Sequence, residues 1–177
     1  LNFVADQTTP NLTITSVGND GKISLYNSAG DTHLIADIVG WFPATSSYTS
    51  LQPSRLLDTR PSGTTIDNLS AGGGAPGPNS TIELTVIGRG GVPTTGVGAV
   101  VLNITATQPT TPGYVTVHPT GTALPNASNL NFVADQTTPN LTITRVATDG
   151  KTTLSNSAGD TRPIAAVRPS ASKRWLS

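Results

Sequence analysis

Residues 1–15 read LNFVADQTTPNLTIT, and residues 130–144 read the same fifteen letters. The offset is 129 residues, and the likeness continues from Asp20-Gly21-Lys22 to Asp149-Gly150-Lys151 and from Asn27–Thr32 to Asn156–Thr161. A repeat of that length is domain-sized, well beyond the roughly 20–50 residue period of solenoids. The chain therefore reads as one full unit preceded by a second copy of that unit's C-terminal half. Four segments follow: 1–43, the closing half of a preceding unit; 44–50 (ATSSYTS), a linker; 51–161, the repeat unit with a defective last strand; and 162–177, an aberrant, disordered tail.

Within these segments the apolar residues alternate. Ile82, Leu84 and Val86 share one face of a strand over 81–87, and Val115 and Val117 lie opposite Tyr114, Thr116 and His118 over 114–118. Residues 99–107 are apolar on both faces for much of their length, which predicts a central strand. Residues 1–43 give four short strands, the last ending at Pro43, and residues 61–80 form a long Gly, Pro and Ser-rich loop. Only 11% of residues are charged, with a single Glu, so the surface must be built of Thr, Ser, Asn, Gly and Pro, which are weak helix formers. The expected fold is all-β, an antiparallel β-sandwich of short strands, with a closed barrel or trefoil-like arrangement as the alternative.

Composition also excludes whole classes of function. Net charge is zero and no Lys/Arg run precedes the tail, which argues against a nucleic-acid groove. No apolar run approaches the roughly 20 residues of a membrane span. Without cysteine there are no disulfides, thiolate chemistry or Cys-based zinc sites. Low charge with abundant Thr and Asn is common in secreted bacterial modules and points to an extracellular location.

The second copy loses its likeness after Thr161. His33–Phe42 in the first copy stands against Arg162–Ala171 in the second, where Pro163 and Pro169 are poor residues for a central strand. Both ends are those expected of a gene fragment cut at arbitrary points, as in environmental DNA. The half unit 51–129 then has two candidate complements, 130–161 and 1–43. The intact last strand of 1–43 favours its use, by circular permutation or in a strand-swapped homodimer.

The stretches SRLLDTR (54–60), GRGGVP (88–93), GAVVLNITATQPTTPGYVTVHPTG (98–121), SNLNFVADQTTPNLTI (128–143) and LYNSAGDTHLIADIVGWF (25–42) resemble a tandem-repeat module of large extracellular proteins of actinobacteria and related soil bacteria. The resemblance implies a β-rich fold and an extracellular setting. It carries no catalytic residues over.

The residues with chemistry to offer are few. Arg55, Asp58 and Arg60 could form an anion or sugar site in which Asp58 orients a guanidinium; the plainer reading is a local ion pair that pins the chain. Asp31, His33 and Asp37 could hold a divalent ion, zinc or calcium, although one strand supplies too few ligands alone. His118 is a candidate base, for which a nucleophile must lie within reach. Trp41 and Tyr114 are candidate sugar-stacking aromatics, with ordinary packing as the alternative. Two functions follow. One is a non-catalytic module that binds polysaccharide or cell-wall glycan, or acts as a spacer, using Arg55, Arg60, Trp41 and Tyr114. The other is a metal-assisted hydrolase of phosphoesters or esters, with His33, His118 and Asp58 as its catalytic set.

Overall fold

The structure is a computed structural model that describes residues 51–167, together with 11–12, 21–27, 30–31, 33, 36 and 49. Eight strands run in chain order: β1 (Ser54–Asp58), β2 (Ser80–Thr85), β3 (Ala99–Thr107), β4 (Gly113–Pro119), β5 (Leu130–Phe132), β6 (Thr138–Arg145), β7 (Lys151–Asn156) and β8 (Arg162–Val167). They form two four-stranded antiparallel sheets, β1-β8-β3-β6 and β2-β7-β4-β5.

The strand order has a simple origin. β1 pairs with β8, β2 with β7, β3 with β6 and β4 with β5, so the pairs nest like one long hairpin. Rolling that hairpin brings β8 against β3 and β7 against β4, which fuses the pairs into two sheets. This is the eight-stranded jelly-roll arrangement of a β-sandwich. It is neither a closed barrel nor a trefoil.

The core lies between the sheets. Leu102, Ile104 and Ala106 of β3 and Ala165 and Val167 of β8 face Leu84 of β2, Val115 and Val117 of β4, Leu130 and Phe132 of β5 and Leu154 of β7. The predicted faces of β2 and β4 are the observed ones, and β3 lies inside its sheet as its double-sided apolarity requires. β6 inverts the simple rule. Its buried residues are Asn140, Thr142 and Thr144, while Leu141 and Ile143 lie half-buried on the outer face.

One boundary needs correction. Residues 162–167, assigned by sequence to an aberrant tail, form β8, which sits between β1 and β3. Pro163 is tolerated because the carbonyl and nitrogen of an antiparallel residue point the same way. Its carbonyl accepts from the Thr59 backbone N–H at 3.3 Å, so the missing donor faces the chain just beyond β1 and not β3. The slot that residues 1–43 were expected to fill is thus occupied by the unit's own strand. The four strands expected over 1–43, the linker 44–50 and the tail beyond Val167 lie outside the described residues, apart from the few named above.

Candidate functional site

Two places hold the chemistry-bearing side chains. The first surrounds β1. A bulge at Leu56 breaks the register between β1 and β8, because Arg55 faces Ala166 and Leu57 faces Ala165. The extra residue takes the Leu56 carbonyl off the ladder, and Arg89 Nη2 donates to it at 2.9 Å. Beyond the bulge, Asp58 is fully buried. Arg55 Nη1 donates to its Oδ2 at 2.8 Å, and Arg60 donates from Nε to Oδ1 at 2.9 Å and from Nη2 to Oδ2 at 2.6 Å. The Arg60 side chain, aided by its backbone N–H and by Arg55, holds the carboxyl below the usual carboxylate range. Asp58 also anchors the loop through its backbone: its N–H donates to the Ser70 carbonyl and its carbonyl accepts from Gly72. A side chain at Gly63 would collide with Asp58. Asp58 is therefore a structural hub with both oxygens occupied, while Arg55 and Arg60 keep about two-fifths of their side chains exposed (42% and 40%).

The second place is the outer face of the β2-β7-β4-β5 sheet. Tyr114, Thr116 and His118 of β4 point outward, with Thr153 and Ser155 of β7 and Thr81 of β2 beside them. Such a face should be solvated, yet Thr116 and His118 are only 1% and 6% exposed. The cover is the β4–β5 loop, residues 120–129. Thr116 Oγ1 donates to the Ala127 carbonyl at 2.7 Å. Asn129 Oδ1 accepts the Val117 N–H at 2.7 Å, so a side chain continues the ladder where short β5 ends. Between loop and sheet lies a cleft of about 590 Å³, lined among others by Asn79, Thr81, Tyr114, His118, Leu124 and Ser155. Tyr114 is 43% exposed at its mouth.

His118 is held on three sides. Nε2 lies 3.2 Å from Ser155 Oγ, and Nδ1 lies 3.2 Å from both the Pro119 carbonyl and Thr122 Oγ1. Sequence reasoning named His118 as a candidate base but gave no view of its surroundings. It could not register that the following loop folds back over the strand.

Two of the three residues proposed from sequence as a hydrolase, Asp58 and His118, lie on different sheets. Asp58 belongs to the β1 sheet and His118 to the outer face of the other, with no contact between them. Asp31 and His33 are exposed, whereas Asp37 and Trp41 lie outside the described residues. Among the described residues no three His, Asp or Glu side chains converge on one point. Ser155 and Thr81 were missed, since a lone Ser or Thr in a Thr-rich chain carries no signal until the strands are paired. No family model matches the chain, and no curated protein matches it.

Proposed function

We propose that this domain is a binding module of an extracellular protein and that the cleft on its β2-β7-β4-β5 face takes a segment of neutral polysaccharide. The observation that carries the reading is the chemistry of the cleft wall. Its polar groups are hydroxyls, amides and the His118 imidazole, set beside Pro112, Leu124 and the exposed Tyr114 ring, and none of its lining residues is Asp, Glu, Lys or Arg. Sugar rings offer an apolar face to an aromatic ring and a rim of hydroxyls to neutral donors and acceptors. A charged ligand would find no counter-ion there. The likeness of the sequence to extracellular repeat modules supports the same setting.

Affinity electrophoresis in gels containing neutral glucans, xylans or mannans, beside gels containing polyuronates, tests it. Retardation by a neutral polymer that falls at least about tenfold in Tyr114→Ala is the expected result, in keeping with the loss of one aromatic contact. Equal migration in all gels, or retardation by polyuronates alone, overturns it.

A further inference from the structure

The cleft contains more than binding requires. We infer that Ser155 and His118 form a nucleophile–base pair that cleaves small, uncharged carboxylic esters by acyl transfer. The inference does not rest on carbohydrate binding; it rests on the hydrogen positions around one imidazole.

Thr122 Oγ1 donates its hydrogen to the Pro119 carbonyl at 2.7 Å. His118 Nδ1 faces that same carbonyl and the lone pairs of that same hydroxyl. Both neighbours are acceptors, so Nδ1 must carry the proton. In the neutral ring Nε2 is then bare, and the Ser155 hydroxyl 3.2 Å away donates to it. This is the polarity a serine nucleophile needs: hydroxyl to Nε2, with the opposite nitrogen oriented by an acceptor. The orienting group here is a backbone carbonyl with a threonine hydroxyl. Because the ring is 6% exposed, its tautomer and angle are fixed by protein and not by water.

Thr81 supplies the third part. It faces Ser155 directly across the β2–β7 ladder and lines the cleft, and its hydroxyl makes no hydrogen bond among the described residues. Directly opposed residues have Cβ atoms about 4.5–5.5 Å apart. That leaves room for a carbonyl oxygen to accept from Thr81 while its carbon meets Ser155 Oγ.

The reaction balances without an added reagent other than water. Ser155 Oγ bonds to the acyl carbon as its proton passes to Nε2, and the oxygen that becomes negative accepts from Thr81. The ester C–O bond breaks, and the proton on Nε2 goes to the leaving oxygen to release the alcohol. Water then attacks the acyl-Ser155 ester, giving its proton to Nε2. Collapse frees the carboxylic acid and returns the proton to Ser155.

The test uses 4-nitrophenyl acetate and butyrate as substrates and diisopropyl fluorophosphate as a covalent probe, with the full chain. The expected results are nitrophenolate release that falls by about 10²-fold or more in Ser155→Ala and in His118→Asn, and a phosphoryl adduct on the peptide containing Ser155, located by mass spectrometry. Ser155→Ala removes one oxygen and should melt within a few degrees of the parent, which separates lost chemistry from lost fold. Turnover unchanged in Ser155→Ala, or no adduct at Ser155 in the folded parent, overturns the inference.

Discussion

Arg89 and Asp67 meet fork to fork, with Nε donating to one carboxylate oxygen at 2.7 Å and Nη2 to the other at 2.8 Å. Nη1 donates to the Thr85 carbonyl, and Nη2 also reaches the carbonyls of Leu56 and Leu69. One guanidinium thus ties the end of β2, the bulge of β1 and the long 61–79 loop together, with its side chain only 6% exposed. Arg89→Ala should lower stability by about 2–3 kcal/mol, because it leaves the buried Leu56 carbonyl without its donor and removes a well-packed side chain. Arg89→Lys should fall between, since an ammonium cannot reproduce the fork. Urea midpoints give both values.

The same pair predicts acid sensitivity. Hydrogen bonds from Arg89, then from the Leu69 N–H, outweigh desolvation and hold the Asp67 carboxyl well below the ordinary carboxylate range. Folding therefore favours the ionised form. Its contribution is complete above about pH 4, the value of an unfolded aspartate, and is lost as pH falls below that toward the folded value. Asp58 acts in the same direction through Arg60. Urea midpoints measured from pH 7 to pH 2.5 should decline steeply below pH 4, and Asp67→Asn should flatten that decline while lowering the neutral plateau.

Gly150 closes the turn between β6 and β7 at φ +79°, and a side chain there would run into Ile87. Gly150→Ala should cost about 2–3 kcal/mol from steric conflict and the left-handed backbone together. Adding Ile87→Ala removes the conflict but not the backbone strain. The double variant should therefore be less destabilised than the sum of the two singles in a denaturation cycle.

Thr142 is 2% exposed and its hydroxyl has no hydrogen-bond partner among the described residues. Thr142→Val keeps the shape and removes an unsatisfied polar group. We expect a gain of about 1 kcal/mol and a rise in Tm of about 3–6 °C by calorimetry.

Ending the chain at Thr161 should abolish folding. β8 is flanked by β1 and β3, so its removal strips a neighbour from both. Retention of a cooperative thermal transition in the shortened chain would contradict the assignment of 162–167 as a central strand.

Much of the fold was legible in the sequence because alternation survives in β2, β3 and β4. Alternation gives a period, however, and not its sign. In β6 the threonines face the core and the leucine and isoleucine do not, a choice set by pairing with β3 across the sheet. β8 was hidden by Pro163, whose lost donor matters only if a strand lies on that side. The distinctive SRLLDTR and GRGGVP stretches proved to be partners: Arg89 serves the Leu56 carbonyl, and a side chain on Gly90 would meet Ser54 at 2.8 Å. They mark the scaffold. The cleft comes from residues far apart in sequence, Thr81, His118 and Ser155, and from a loop whose path no local pattern encodes.

The nested hairpin also dictates how the domain bears tension. Ser54, where β1 begins, lies opposite Val167, where β8 ends. A pull applied through these two points loads the β1–β8 bonds one at a time, like a zip, and never in parallel shear. The domain should yield at low force in single-molecule stretching and release a long length of chain as it does. Strung in series, such units would act as a fuse that lengthens under load, while the cleft on the opposite sheet stays intact until the zip has opened.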